Sequence, residues 1–327
     1  MSRNELDLLV VTRKDCHYFA NAQNHRIRKS RPCESGSTGV HLMDIPRFWS
    51  KFEYQAQNPR GKLFPIVCWR GSSTSRNEAQ ALARAAAERM AQRIGRGESF
   101  PERYTYPGRP LREEILQEFS NQFGDMDAAL TRNAYGAEVL NAANLLFIDI
   151  DLPAPKAPGI LSRLLRRGRE TPKSDAAISA AKRCAEWLGR HPEWGMRIYR
   201  TRSGLRYLIT HALFQPGAAE SEIAMEFLGC DPQYLQLCRI QKSFRARLTP
   251  KPWRCGCRRP LAWFPFETDE QKRQMRAWEA EYEEACRSWA TCALVEILGS
   301  RQVHPALNAL VKLHDDRTRS DSGLSLA

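Results

Sequence analysis

Asn144-Leu-Leu-Phe-Ile-Asp149-Ile-Asp151-Leu-Pro153 is the most informative run in the chain. Leu145 to Ile148 is solidly apolar, the pattern of a buried central strand. Pro153 stops the pairing because it has no backbone N–H to give. Side chains alternate along a strand, so Asp149 and Asp151 share a face, about 7 Å apart. Two carboxylates at the end of a buried strand repel each other and lose hydration. A divalent cation relieves both, and paired hard oxygen donors suit Mg²⁺ or Mn²⁺. The plainer alternative is a strand that ends at the surface with two solvated acids.

The flanking sequence places this strand inside a sheet. Ala129 to Asn133 and Ala137 to Leu140 read as short strands around the turn Ala134-Tyr-Gly136, leading directly into the two-acid strand. After it, Pro153, Pro155 and Pro158 precede Arg163-Leu-Leu-Arg-Arg-Gly-Arg169, which reads as an exposed basic loop suited to phosphate or merely to solvation. A helix resumes near Ser174, with Ile178, Ala181, Ala185 and Leu188 on one face. Met196 to His211 then reads as two strands around Thr201-Arg-Ser-Gly204, a hairpin made strongly cationic by Arg197, Arg200, Arg202 and Arg206.

An Asp-x-Asp strand end followed, after a helix, by a strand, a Ser-Gly turn and a returning strand resembles the catalytic layout of the archaeo-eukaryotic primase superfamily, which includes the primase-polymerases. The resemblance spans roughly residues 104–250. It implies that Asp149 and Asp151 bind catalytic Mg²⁺ or Mn²⁺, and that Ser203 and Gly204 form the turn contacting nucleotide phosphates. Arg206 falls where that family usually carries a histidine, and it grips phosphate without serving as a neutral imidazole. The family's third metal-binding Asp has no clear counterpart. Asp231 is the nearest candidate, but Asp231-Pro232 reads better as a helix N-cap followed by proline at the first helical position.

A third dense stretch, Gln241 to Arg259, interleaves arginine and lysine with Phe244 and Trp253. Such a strip can follow a phosphate backbone while its aromatics stack on bases. Arg245 and Arg247 alternate as on a strand, so both are expected in one cleft, with Lys251 nearby. Cys255-x-Cys257, with Cys238 as a third donor, is a weak zinc pattern because the usual two-residue gap is missing.

The remaining segments frame this core. Leu6 to Thr12 reads as a short strand and the next thirty or so residues as a basic surface segment, whose His17, His25, His41, Cys16 and Cys33 lack ligand spacing. Phe64 to Trp69 reads as another strand. Ser75-Arg-Asn-Glu78 is a capping box opening a helix that Gly95 ends. Arg103 to Glu114 reads as a loop, with Arg103, Arg109 and Arg112 flanking Tyr104 and Tyr106. It opens a helix that turns Leu111, Ile115 and Phe119 inward. Thr268-Asp-Glu-Gln271 caps a long helix whose stripe Met275, Trp278, Tyr282, Ala285, Trp289, Cys292 and Ile297 runs to Gly299. A shorter helix from about Pro305 ends near His314-Asp-Asp316, and residues after Arg317 read as frayed.

The totals set bounds. The 327 residues, 42% hydrophobic, suffice for two domains or one elaborated domain with a real core. No apolar run approaches the roughly 18 residues of a membrane span, and Met1-Ser-Arg-Asn-Glu-Leu-Asp is no signal peptide, so a cytoplasmic protein without a membrane partner is expected. Its ten cysteines then read as reduced thiols. A formal charge of +13, carried far more by arginine than by lysine, suits phosphate contact. There is no internal repeat, Walker-type loop or Ser/Cys nucleophile motif.

The expected architecture is α+β, a mixed or antiparallel sheet flanked by helices with a C-terminal helical element. Its parts are an N-terminal α/β region (1–100), a catalytic-like core (101–266) and C-terminal helices (267–327). The expected function is metal-dependent nucleotidyl or phosphoryl transfer on nucleic acid or nucleoside triphosphates. Asp149 and Asp151 would hold the metal, and Arg200, Arg202, Ser203, Arg206, Arg245, Arg247 and Lys251 the phosphates. A non-catalytic nucleic-acid-binding module and a metal-dependent phosphoesterase are the alternatives.

Overall fold

A computed structural model describes Met43 and residues 45–98, 111–121, 123–153 and 175–327. The expected strand at Leu6–Thr12, the basic surface segment after it, the Tyr104–Tyr106 loop and the basic loop at 163–169 lie outside these residues. The fold is α+β, with wholly antiparallel strand ladders. The chain divides between Arg112 and Glu113 into two compact units.

The first unit is a hairpin with a helix. Strands β1 (Phe48–Gln57) and β2 (Leu63–Ser72) pair from Phe48↔Ser72 to Gln57↔Leu63. Helix α1 (Arg76–Gly95) starts where the capping box predicts, the Ser75 hydroxyl accepting from the Glu78 N–H at 3.1 Å. Its buried stripe of Ala79, Ala83, Ala86, Ala87 and Met90 follows the helical period, and Ala86, Ala87 and Met90 pack with Ala56, Ile66 and Cys68 of the hairpin.

The second unit holds two four-stranded sheets. The first comprises β3 (Glu114–Ser120), β4 (Met126–Arg132), β5 (Glu138–Ala142) and β9 (Phe244–Arg247), in that order. The second runs β10 (Cys292–Gly299), β7 (Gly195–Thr201), β8 (Gly204–Ile209) and β6 (Phe147–Asp151). Helices α2 (Asp175–Arg190), α3 (Ala219–Leu228), α4 (Pro232–Gln241), α5 (Asp269–Cys286) and α6 (Asn308–Thr318) complete the unit. Leu140, Phe147, Tyr199, Tyr207 and Phe244 belong to one buried cluster, so the two sheets share a core.

Three expected elements came out differently. Leu111, Ile115 and Phe119 fall at four-residue intervals, which suits a helix, but a bulge between Ile115 and Gln117 sets Leu116 and Phe119 against the core instead. Glu114–Ser120 is strand β3, in antiparallel register with β4. The helix expected to reach Gly299 stops at Cys286, and the β-prone run Cys292–Gly299 becomes β10, whose partner β7 would otherwise be a bare edge. Residues 267–327 therefore supply a strand to the sheet between their two helices, Asp269–Cys286 and Asn308–Thr318. The last residues are not frayed either: Ala327 is fully buried and its N–H donates to the Ala290 carbonyl at 3.0 Å.

Candidate phosphate and metal site

Strand β6 is an edge strand, not a central one. Its core residues are nevertheless buried, and the open backbone is partly covered: the Asp231 N–H donates to the Asp149 carbonyl at 3.0 Å. The hairpin β7–β8 turns at residues 202–203, as the sequence predicts, and β8 returns beside β6 with Asp149 opposite Arg206 and Asp151 opposite Gly204. Glycine is required at 204, because a Cβ there would sit 1.9 Å from the Ile150 carbonyl oxygen. That close approach fixes the register bringing Arg206 to Asp149.

The Arg206 guanidinium clasps the Asp149 carboxylate, Nε to Oδ1 at 2.7 Å and Nη2 to Oδ2 at 3.1 Å, while Nη1 donates to the Arg247 carbonyl at 3.0 Å. Its side chain is only 4% exposed. Burial alone would lower its pKa, but the charge and hydrogen bonds of Asp149 outweigh burial and raise it. Arg206 was expected to reach for phosphate; it is instead the structural counter-ion of Asp149. A buried cation must be paired, and the carboxylate directly across the ladder is its partner.

Asp151, one pleat further, is exposed and free of that clasp. Its pKa is raised, first by partial burial and then by the negative charges of Asp231 and Asp149. Asp231 caps α4 as the sequence predicts, its carboxylate accepting from the Gln233 N–H at 3.1 Å with Pro232 following. Its charge is also felt at Asp151, where it acts together with that of Asp149. Among the described residues, no group of three His, Cys, Asp or Glu side chains is arranged to hold a metal ion.

Facing these acids is a cationic cluster. Lys251 has its pKa lowered by burial and then by Arg247 and Arg254, with Asp151 pulling the other way. Arg254 is depressed by burial and then by Arg202, and Arg247 by burial, with Tyr135 pulling the other way and Arg206 and Arg254 adding to the depression. Arg254 ties this cluster to the hairpin, its Nη2 donating to the Ser203 hydroxyl at 3.1 Å. Arg202 donates to the Leu326 carbonyl at 3.2 Å, and Arg200 is exposed on β7. Arg245 shares a strand face with Arg247 but does not join the cleft. It is consumed by Glu113, Nη2 reaching both carboxylate oxygens at 2.7 Å, and by Gln241 at 2.8 Å.

Residues 252–254 form a 3₁₀ turn after Lys251. Lys251 is the extended residue before this turn and Arg254 its last, and the Arg254 charge acts on the Lys251 ammonium. Arg254 belongs to the basic strip Gln241–Arg259 that the sequence marks out, but no motif singles it out within that strip. Tyr135, whose hydroxyl bears on both Arg247 and Arg254, had no comparable signal.

The cysteines do not gather as the zinc pattern needs. Cys238 is buried in the sheet core, while Cys255 and Cys257 belong to a separate cluster with Cys286. Burial and the neighbouring Cys255 push the Cys286 thiol up to about 12, the state of an inert thiol. No helix among the described residues is long and apolar enough to cross a membrane. Compared with protein-family models, curated proteins and solved structures, the chain matches none.

Proposed function

We propose that the end of β6 is the site of a metal-dependent nucleotidyl or phosphoryl transfer of primase-polymerase type, on nucleic acid or nucleoside triphosphates. One juxtaposition carries this reading: Arg254, bonded to Ser203 in the turn beside the Asp151–Gly204 pair, and Lys251 bring positive charge to the exposed Asp151, whose pKa is raised first by burial and then by Asp231 and Asp149. The acids call for a cation and the basic side chains for an anion. A metal–triphosphate complex supplies both charges in one ligand. On this reading Asp151, with Asp149 and aided by Asp231, would hold one divalent Mg²⁺ or Mn²⁺, the hard-oxygen donors such an ion takes. Bound there, the metal would polarise a phosphate and acidify an attacking hydroxyl. Lys251, Arg254 and Arg247 would hold the phosphates, and Ser203, already bonded to Arg254, would position that guanidinium. Arg206 would act behind Asp149 as a positioning residue, fixing the carboxylate by its two hydrogen bonds.

A non-catalytic nucleic-acid-binding module has one observation in its favour, since both Asp149 oxygens are already engaged by Arg206. Titration of Mn²⁺ with a nucleoside triphosphate, followed by calorimetry, tests the choice. Asp151→Asn is the informative variant, because Asp151 is exposed and carries no ion-pair partner among the described residues. Metal-dependent triphosphate binding lost in Asp151→Asn supports transfer chemistry here. Binding that ignores both Mn²⁺ and the substitution leaves the module, and absence of any salt-sensitive anion binding removes both readings. Incorporation of nucleotide into a strand, against simple release of phosphate, separates the transferase from a phosphoesterase.

A further inference from the structure

We propose that Trp253, with Tyr135 at its edge and Arg259 over its ring, is a docking platform for a base of single-stranded nucleic acid whose phosphates lie on Lys251 and Arg254. The inference rests on the phosphate-binding reading above and adds to it a ligand class and a stacking residue.

Trp253 is 46% exposed, yet the backbone carrying it is tightly held. The Pro252 carbonyl accepts from the Cys255 and Cys257 N–H groups at 3.1 and 2.9 Å, and the Lys251 carbonyl from Arg254 at 2.7 Å. The Tyr282 hydroxyl donates to the Pro250 carbonyl just upstream. Tyr135 is equally fixed. Its N–H is bonded to the Asn133 side chain at 3.2 Å, and a Cβ on the following Gly136 would come within 2.1 Å of the Trp278 ring. The two aromatic rings meet edge to face, centroids 5.3 Å apart at 65°. The Arg259 guanidinium lies 4.4 Å from the Trp253 centroid and the Lys251 ammonium 5.7 Å.

A single exposed tryptophan needs no explanation on a protein surface. Here Leu261 and Trp263, a few residues on, are also exposed, at 86% and 44%. Residues 251–259 contain Lys251, Arg254, Arg258 and Arg259 and no acid. Apolar ring faces set among cations, in a segment without an acid of its own, fit a polyanion that also carries flat apolar surfaces. Nucleic acid has both, and ring stacking with cation–π contact is the way proteins hold it without reading sequence. A duplex hides its base faces in the stack, so only a single strand offers phosphate and base face together. Lys251 joins the two halves of the ligand, since it lies over the Trp253 ring and also feels the Asp151 charge.

The test compares a labelled oligothymidylate with an abasic strand of equal length and charge, by fluorescence anisotropy at one salt concentration. The wild type should prefer the base-bearing strand by roughly 5- to 150-fold, the range for one stacked base. Trp253→Ala should abolish the preference, Trp253→Phe should keep most of it, and Lys251→Ala should weaken both strands alike. Equal wild-type affinity for the two strands, or a preference untouched in Trp253→Ala, overturns the stacking platform while the phosphate site stands. Failure to bind either strand overturns both. The comparison on wild type needs no variant to fold.

Discussion

Arg206 and Asp149 face each other across the β6–β8 ladder and are joined by two charge-assisted hydrogen bonds of 2.7 and 3.1 Å. The pair is asymmetric: the arginine side chain is 4% exposed and the aspartate 34%. Removing either partner therefore has unequal consequences. Asp149→Ala leaves a fully enclosed cation without its anion and should cost about 3–5 kcal/mol. Arg206→Leu leaves a carboxylate that can recover water, and should cost distinctly less. Urea denaturation of the two variants checks the order; equal losses would mean that the pair is not what holds the strands in place.

Gly204→Ala should be destabilising by about 1–3 kcal/mol, the usual cost of forced overpacking. The new methyl would collide with the Ile150 carbonyl oxygen, 1.9 Å away, on the rigid backbone of the neighbouring strand. The same substitution should loosen the match between Arg206 and Asp149, read as faster amide exchange in β6 and β8 than in β4 and β5.

Asp231 has two separable roles. Asparagine caps a helix about as well as aspartate, so Asp231→Asn should leave stability within about 0.5 kcal/mol of wild type. It removes, however, the leading charge acting on Asp151 after burial itself. Under the proposed function, Mn²⁺ affinity measured by calorimetry should fall in this variant while the thermal midpoint stays. An unchanged Mn²⁺ affinity would confine Asp231 to its cap.

Glu138 supplies a pH signature away from the site. Burial raises its carboxyl pKa, Arg317 and Arg132 oppose that, and Glu283 and Glu279 add to it. An acid raised on folding binds its proton more tightly in the native state, so it contributes stability below the ordinary carboxylate pKa and loses it as pH rises through the raised value. Glu138→Gln should therefore gain stability relative to wild type between pH 5 and pH 8. Denaturation at the two pH values reads the difference; a relative loss over that interval would give the Arg317 pair the upper hand.

Local signals carried much of this reading. The caps at Ser75, Asp231 and Thr268, the hairpin turn before Gly204, and β4, β5 and β6 were legible because each is set by nearby residues. The alternation along β1, in Phe52, Glu53, Tyr54, Gln55, Ala56 and Gln57, is equally local. Long-range pairing was not legible. Nothing near Ile115 tells that its partner is Thr131, and nothing near Leu298 tells that it will lie beside Met196. For the same reason the charges of the site were found while their partners were not. Arg245 and Arg206 look alike as sequence, but their fates were set by Glu113 and Asp149, acids 132 and 57 positions away.

The two sheets also bear on how the chain must be made. Each takes its last member from far downstream: β9 joins β5 from beyond α4, and β10 joins β7 from beyond α5. During synthesis β7 leaves the ribosome with one flank bare, and it stays so until residues 292–299 follow. Pairings of such sequence separation fold slowly and leave strand edges open to foreign strands meanwhile. A nascent chain stalled before residue 292 would therefore possess both acids and the whole cationic hairpin, yet be an aggregation-prone intermediate. The sheet that carries Asp149 and Arg206 is in that sense finished only after every residue of the candidate site has been made.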